Sequence, residues 1–304
     1  MSVTILPTRA LSQELTQTAP PSIDRLQTSP ADPLVLSSEE SYPNAKTLAS
    51  EIALDLVTYE ADEGPSNILE RLPEDTEGVR AAIETLHHAG SWSRGRAIYP
   101  QLGGMLPERA SVMVIVEQQI GSPEGVRVET RTIDVRLRTS NGVWRLEDVA
   151  SHGGEPVPQP VNLSPEALAV LGHPDIAMPD SARWDIYSGT VSSTLLGLMV
   201  RLADRVPIGV VTLVSGHPLE IFGTDRQSDH TRGVAVDIYA VGNRLVVEDR
   251  ALNSETHAAA QWLSMQPEVE RLGSPWRFAD ATAITFTDAL HQDHFHIAVP
   301  RDAP

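Results

Sequence analysis

The sequence predicts an α+β protein in two domains, from three observations. Segments with helical spacing come first, three stretches of alternating apolar and polar residues follow, and further helices and strands lie beyond a proline-rich stretch. With 304 residues the chain can bury two cores. We expect a disordered tail or stalk at 1–43, a small α+β domain at 44–155, a linker at 156–184 and a second domain at 185–304.

The first elements are a tail and two helices. Residues 1–43 are rich in Ser, Thr, Pro and acidic residues and have no sustained period, which is typical of a tail. Apolar residues then recur at helical spacing from Asn44 to about Ala61, with Asn44 as the expected cap. A second helix is predicted after the cap residue Thr76, and Gly90 should end it.

Three strands are predicted next, in the stretches ASVMVIVEQQI, GVRVETRTIDVRLRT and GVWRLEDVAS. Turn residues at 121–125 and 140–142 separate them, so consecutive strands should pair as an antiparallel meander. Helices followed by a meander are similar, in element order, to the nuclear-transport-factor-like fold.

The second domain is predicted to begin after the linker GGEPVPQPVN. A short helix capped by Ser164 comes first, and the segment VSSTLLGLMVRLADRVP then predicts a helix with Leu195, Leu198 and Leu202 on one face. IGVVTLVSG should be a buried strand and NSETHAAAQWLSMQP another helix. Two short strands, ATAITFTD and HFHIAVP, close the chain.

Composition excludes several classes of function. A formal net charge of -18 disfavours nucleic acid and anionic lipid as partners, because phosphate groups would be repelled. The chain has no cysteine, so any metal must be held by His, Asp or Glu. No apolar run is long enough to predict a membrane span, and the first residues lack the pattern of a secretory signal. The charge does not indicate an oligomeric state.

The stretch SDHTRGVAVDIYAV, residues 228–241, contains the first chemically suggestive pattern. A strand is expected from Val234, and alternation then directs Asp237 away from its aliphatic face. His230 lies seven positions before Asp237, an offset of the wrong parity for one strand face. Gly233 must therefore let the chain bend, so that His230 returns over Asp237.

The second pattern, DHFH, lies near the chain end. His294 and His296 should share one face of a strand while Phe295 and Ile297 enter the core. Two imidazoles and one carboxylate would give a zinc ion three protein ligands and leave a fourth position for water. Asp293 has the wrong parity for that face, so it should lie at the loop-to-strand junction, in the position of a general base. Either pattern alone is more often a solvated histidine.

Together the two patterns resemble zinc metallopeptidases of the D-alanyl-D-alanine carboxypeptidase type, a group that includes lysostaphin-like enzymes and the hedgehog signalling domain. The family pattern is SxHxxGxAxD, followed by an acidic residue, two further residues and a histidine. The matching positions are Ser228, His230, Gly233, Ala235, Asp237, Asp293 and His296. The resemblance covers about residues 185–300.

The resemblance implies that His230, Asp237 and His296 bind one zinc ion. It implies that Asp293 is the general base and that His294 stabilises the transition state or orients the substrate. The substrate would be a peptide that ends or branches at D-amino acids, as in peptidoglycan stems, and the protein would act outside the cytoplasm. Carboxypeptidase and endopeptidase activity both stay open.

One position departs from the family. Family members carry an SGYR segment whose arginine contacts the substrate, whereas SGHP places Pro218 there. Arg226 could take over that role from the same loop, with His217 and Ser228 contacting the substrate, or Arg226 could be a surface charge paired with a neighbouring aspartate. The departure leaves two rivals open: a zinc-bearing binding module without turnover, and a structural metal site in an adhesion protein.

Overall fold

A computed structural model describes residues 34–301 and confirms an α+β protein. The first domain contains three helices and a four-stranded antiparallel sheet in the order β1-β2-β3-β4. Its elements are α1 (Pro43–Val57), α2 (Pro65–Arg71), α3 (Glu77–Leu86), β1 (Trp92–Met105), β2 (Arg109–Ser122), β3 (Gly125–Ser140) and β4 (Val143–Ser151). The predicted meander is therefore present, with one additional strand at its edge.

Local sequence explains where several of these elements begin and turn. The Thr76 hydroxyl accepts a hydrogen bond from the Val79 amide at 3.2 Å, which confirms the predicted cap of α3. Asn141 and Gly142 have φ values of 54° and 77°, as a two-residue turn between β3 and β4 requires. The cap predicted at Asn44 was wrong, because α1 already begins at Pro43.

Strand β1 was missed because its sequence does not alternate cleanly. Its register against β2 shifts between Ala97 and Tyr99 and again between Leu102 and Gly104. Such bulges break the period of two on which strand prediction rests. β1 forms an edge of the sheet, where Pro100 is tolerated.

The second domain is built on a seven-stranded sheet, whose main path runs β10-β9-β11-β7-β6-β5 with β8 paired to β7. The helices are α4 (Pro165–Gly172), α5 (Asp180–Tyr187), α6 (Ser193–Ala203) and α7 (Glu255–Ser264). The strands are β5 (Ile176–Ala177), β6 (Ile208–Thr212), β7 (Ala235–Val241), β8 (Arg244–Leu245), β9 (Arg271–Gly273), β10 (Ile284–Phe286) and β11 (Phe295–Ala298). β11 lies between β7 and β9 and pairs antiparallel with both.

The predicted tail and linker contain more structure than their composition indicated. Residues 1–33 lie outside the described part of the chain, but Leu34 packs against the first core and Glu40 is buried. The predicted linker, 156–184, contains α4, β5 and the start of α5. Apolar residues from these elements, such as Val170, belong to the core of the second domain, so that domain begins near α4.

The two sheets face each other, and each packs its other face against its own helices. A small apolar cluster fills the space between the sheets, formed by Tyr99, Met113, Ile115, Val211, Tyr239 and Ala240. The hydroxyl of Thr132 in β3 also donates to the Val211 carbonyl at 2.5 Å. Within residues 34–301, no helix is long and apolar enough to cross a membrane.

Candidate metal centre

Two neighbouring strands of the second sheet carry two of the predicted ligands. Asp237 in β7 lies directly opposite His296 in β11, so their side chains share one face of the sheet. Their neighbours Val236, Ile238 and Ile297 enter the core from the other face. The alternation predicted for both strands is confirmed.

The third predicted ligand, His230, is brought in by the bend that precedes β7. Gly233 has a φ of 71°, and its amide donates to the His230 carbonyl at 2.8 Å. A Cβ atom at this position would lie 1.8 Å from the Thr190 carbonyl oxygen. Both the backbone conformation and the close packing therefore require glycine, as the sequence indicated.

The three ligand atoms form a compact triangle. His230 Nε2 lies 3.1 Å from Asp237 Oδ1 and 3.2 Å from His296 Nδ1, and the last two atoms are 3.0 Å apart. Ligands at about 2.0–2.1 Å from a tetrahedral zinc ion are separated by about 3.3 Å. The triangle thus has nearly the size that one zinc ion requires. Within the described chain, it is the one group of three His, Asp or Glu residues whose ligand atoms all lie within 4.8 Å of one another.

Hydrogen bonding shows which atom of His230 is free to bind a cation. Its Nδ1 lies 2.8 Å from the Leu213 carbonyl oxygen, which can only accept, so Nδ1 carries the proton. The neutral ring then has its lone pair on Nε2, facing the Asp237 carboxylate. Lone pairs that converge at 3.0–3.2 Å repel one another unless a cation or a proton lies between them. The donor set therefore fits zinc.

The charges of the site follow from burial and from Asp237. Burial is the main influence on His296 and lowers its pKa to about 4, which keeps its ring neutral. Burial alone would lower the pKa of His230, but the Asp237 carboxylate outweighs burial and raises this pKa. Burial opposes ionisation of Asp237, yet the nearby histidines hold its pKa well below the usual range.

A buried aspartate that sequence reasoning missed shapes the loop behind His230. Asp185 Oδ2 accepts hydrogen bonds from the Val214 and Ser215 amides, both at 2.8 Å, and Oδ1 accepts from the Ser215 hydroxyl at 2.6 Å. These bonds fix the loop that presents the Leu213 carbonyl to His230. Supporting contacts of this kind orient a ligand histidine, and no local motif in the sequence marks Asp185 for such a role.

Asp293 and His294 form a buried pair next to the ligands. His294 Nδ1 lies 2.6 Å from Asp293 Oδ1, and His294 Nε2 lies 3.9 Å from Asp237 Oδ2. Asp293 is fully buried, and burial alone would raise its pKa. The Lys46 ammonium and the hydrogen bond from His294 outweigh burial and lower the pKa of Asp293 to about 2. This carboxylate is therefore ionised throughout the physiological range.

The first domain contributes directly to the site, which no sequence pattern indicated. Lys46 Nζ lies 2.5 Å from Asp293 Oδ2 and also pairs with Glu40. The Leu102 amide donates to Asp293 Oδ2 at 3.1 Å. Gln101 Nε2 donates to Asp237 Oδ2 at 2.6 Å. Lys46 is 247 positions from Asp293 along the chain, so only the packing of the two domains reveals the contact.

The remaining predicted residues lie in the loop before His230. The His217 ring stacks on that of His230 with centroids 4.6 Å apart, and burial followed by the neighbouring His230 lowers its pKa to about 3. Ser228 is buried, and its hydroxyl accepts a hydrogen bond from the His230 amide at 3.2 Å. It thus positions the ligand loop. Contact of either residue with a substrate stays a prediction.

Arg226 occupies an exposed position in the hairpin closed by the bridge between Glu220 and Gln227. Among the described residues, no hydrogen bond or ion pair joins its side chain to the three ligands or to Asp293. Asp229, one of the partners considered for it, pairs with Arg232 and Arg271 instead. No described contact joins Arg226 to the metal centre, and its contact with a substrate stays a prediction.

His291 lies beside the centre and was given no role from the sequence. Its Nδ1 lies 2.7 Å from Asp288 Oδ1, and its ring centroid lies 5.0 Å from that of His294 and 5.9 Å from that of His296. The side chains of His291 and His296 are 13% and 17% exposed, whereas that of His230 is 1% exposed. Solvent therefore reaches the centre from the side of His291.

Comparison with known proteins does not assign the chain to a family. No family model matches it, and no curated protein matches it. One similar solved structure is an IcmL-like type IV secretion system protein from Legionella pneumophila, with 11% sequence identity and a TM-score of 0.31. The match covers 40% of this chain and 98% of that protein. A likeness at this TM-score supports no functional statement.

Proposed function

We propose that the protein is a zinc-dependent peptidase that hydrolyses peptidoglycan stem or cross-link peptides, of the D-alanyl-D-alanine carboxypeptidase or endopeptidase type. The observation that carries the proposal is the triangle of His230 Nε2, Asp237 Oδ1 and His296 Nδ1, with edges of 3.0–3.2 Å. Three ligands leave one coordination position for water or substrate, which is typical of catalytic zinc.

His230, Asp237 and His296 would hold the zinc ion. When bound, zinc polarises a carbonyl group and makes a water molecule more acidic. His294 Nδ1 donates to Asp293, so Nε2 would donate to the oxyanion that develops on the scissile carbonyl when the ring is protonated. Burial alone would lower the pKa of His294, but the Asp237 carboxylate outweighs burial and raises it, which favours that form. Asp293 would accept the proton of the attacking water and return it to the leaving amine. His294 and Asp293 are held together by their 2.6 Å contact.

The surroundings of Asp293 favour a second candidate, a zinc-binding module without turnover. Its Oδ1 is engaged by His294, and its Oδ2 by both Lys46 and the Leu102 amide. A general base needs a free lone pair and a pKa near the working pH, whereas this carboxylate has a pKa of about 2. These contacts use three of the roughly four lone-pair sites of the carboxylate, so one site on Oδ1 is left to accept a proton, but the low pKa makes Asp293 a weak base.

The substrate class and the extracytoplasmic location rest on the resemblance of the SxHxxGxAxD and DHFH segments to their family pattern. The net charge of -18 is compatible with a peptide that carries an amino group and disfavours polyanions. The second domain supplies all three ligands, and its α+β fold is compatible with the hedgehog and D-Ala-D-Ala peptidase architecture proposed for it.

Turnover can be tested by incubating the zinc-loaded protein with a pool of muropeptides and reading the products by mass spectrometry. Cleavage next to a D-amino acid is expected for the parent. Asp293→Asn should lower the rate by about a hundredfold to ten-thousandfold, the range that general-base catalysis contributes. Asp280→Asn, which alters an exposed carboxylate of a loop, is the matched control and should keep the parent rate.

The outcomes separate the two candidates. Cleavage that Asp293→Asn abolishes and Asp280→Asn preserves supports the peptidase. Zinc binding without cleavage, with Asp293→Asn indistinguishable from the parent, supports the binding module. Mass analysis of the products also decides between removal of a terminal residue and cleavage of a cross-link.

A further inference from the structure

We infer that the first domain completes the metal centre, with Gln101 as the residue that positions the ligand Asp237. This inference rests on the proposed zinc site and gives the first domain a role in it. It assigns to Gln101 a function that neither its position in β1 nor its residue type indicates.

The two oxygens of the Asp237 carboxylate have different partners. Oδ1 belongs to the triangle with His230 and His296, while Oδ2 accepts a hydrogen bond from Gln101 Nε2 at 2.6 Å. An ionised carboxylate can only accept hydrogen bonds, so the amide nitrogen of Gln101 must be the donor. The bond therefore occupies Oδ2 and fixes the rotation of the carboxylate, which leaves Oδ1 as the oxygen that binds the metal.

The burial of Gln101 indicates why a glutamine occupies this position. Gln101 is 0% exposed, and its Oε1 has no hydrogen-bond partner among the described residues. An unpartnered buried carbonyl destabilises a fold, so an apolar residue at position 101 would suit stability better. The contact with Asp237 is the one described hydrogen bond of this side chain, and it provides a reason for a glutamine here.

The local shape of β1 places Gln101 at the second domain. Tyr99 in β1 stacks on Tyr239 in β7, with ring centroids 4.9 Å apart, and this contact holds the two strands together. Gln101 lies two residues after Tyr99, and Asp237 lies two residues before Tyr239. The side chain of Leu102 enters the first core while its amide reaches Asp293 at 3.1 Å. Two successive residues of β1 thus contact a proposed ligand and the proposed base.

The expected effect is on zinc affinity, a quantity that can be measured without a substrate. Loss of a hydrogen bond that orients a metal ligand typically weakens metal binding about tenfold to a hundredfold. Gln101→Leu should therefore raise the zinc dissociation constant of the full chain by that factor, as read by competition with a chromophoric chelator.

Gln118→Leu is the matched control. Gln118 lies in β2, is 1% exposed, and donates to the Leu86 carbonyl at 2.8 Å within the first domain, away from the metal centre. Both substitutions remove a buried amide from the same sheet. Gln118→Leu should leave zinc affinity within about twofold of the parent, even if it lowers stability. Gln101→Met, which keeps the side chain unbranched, serves if Gln101→Leu does not fold.

The results separate this inference from the proposed function. A tenfold or greater loss of affinity in Gln101→Leu or Gln101→Met, with Gln118→Leu near the parent, supports it. Parent-like zinc affinity in the Gln101 variants overturns it and leaves the zinc site intact. Equal losses in the Gln101 and Gln118 variants also overturn it, since stability alone would then explain the change. Absence of zinc binding by the parent overturns both proposals.

Discussion

At the residue scale, the most demanding feature is the buried ion pair of Lys46 with Asp293 and Glu40. The Lys46 side chain is 0% exposed, and so is that of Asp293. Charges removed from water are tolerated only when they are paired and hydrogen-bonded. The arrangement satisfies that requirement with two carboxylates and one ammonium group. It also ties helix α1 of the first domain to the proposed catalytic residue of the second.

Replacement of Lys46 should reveal how much this pair contributes to stability. Lys46→Met removes the ammonium that lies between two buried carboxylates, Asp293 and Glu40, so the free energy of unfolding at pH 7 should fall by roughly 3–5 kcal/mol. Arg80→Met, which breaks the exposed pair with Asp75, is the control and should change stability far less. Urea denaturation measures both. Equal losses in the two variants would contradict the structural account of Lys46.

The pH dependence of stability follows from the same pair. The pKa of Asp293 is lowered from 3.8 to about 2, because Lys46 and His294 outweigh the effect of burial. The unfolded chain then binds a proton more tightly than the folded chain. Asp293 therefore contributes stability above pH 3.8, and this contribution is lost as the pH falls towards about 2.

The stability of the parent and of Lys46→Met, measured at several pH values, tests whether Asp293 loses its stabilising contribution as the pH falls. Protonation of Asp293 relieves the unpaired charge in the variant, so the stability difference between parent and variant should shrink as the pH falls below about 4. Denaturation curves at pH 7 and at pH 3 provide the measurement. A difference that grows at low pH would show that Asp293 is not held ionised by Lys46.

At the element scale, the centre depends on the pairing of β7 with β11 and on the bend before β7. The sequence predicted both features, because alternation of apolar residues fixes which side chains share a face, and because Gly233 marks the bend. It did not predict the contacts of Gln101 and Lys46. These depend on irregular pairing in β1 and on how the two domains pack, which local periodicity does not encode.

Gly233→Ala tests the bend. Its φ of 71° predicts backbone strain, and the Thr190 carbonyl oxygen, 1.8 Å from the position that a Cβ atom would take, predicts a steric clash. We expect a loss of several kcal/mol in stability together with loss of the metal site, because His230 would be displaced.

Gly142→Ala is the control, since its φ is 77° but nothing lies within 4 Å of the position that its Cβ atom would take. It should lose only about 1–2 kcal/mol. Thermal denaturation distinguishes them, and similar losses would contradict the packing described for Gly233.

At the scale of the whole molecule, the two domains share an interface that is both apolar and polar. The cluster around Tyr99 and Tyr239 fills the space between the sheets. Asp180 at the start of α5 accepts hydrogen bonds from the Thr130 amide and hydroxyl at 2.8 and 3.0 Å. The guanidinium of Arg131 lies 4.6 Å from the centroid of the Trp184 ring. Apolar packing, hydrogen bonds and a cation–π contact therefore join the two domains.

This coupling predicts a single unfolding transition. The buried Lys46 to Asp293 pair would be broken if one domain unfolded alone, so partial unfolding is disfavoured. Differential scanning calorimetry of the full chain should show one peak, with equal calorimetric and van't Hoff enthalpies. Two resolved peaks would indicate independent domains and would contradict a centre shared between them.

Elemental analysis of the purified protein tests the central claim most directly. After exposure to zinc and removal of the excess, the parent should retain about one zinc ion per chain, bound by two histidines and one aspartate. His230→Ala and Asp237→Asn should each lose it. His173→Ala, which alters a histidine paired with Asp204 far from the ligands in sequence, should keep it. Zinc retained by the ligand variants, or absent from the parent, would contradict the assignment of His230, Asp237 and His296 as a metal centre.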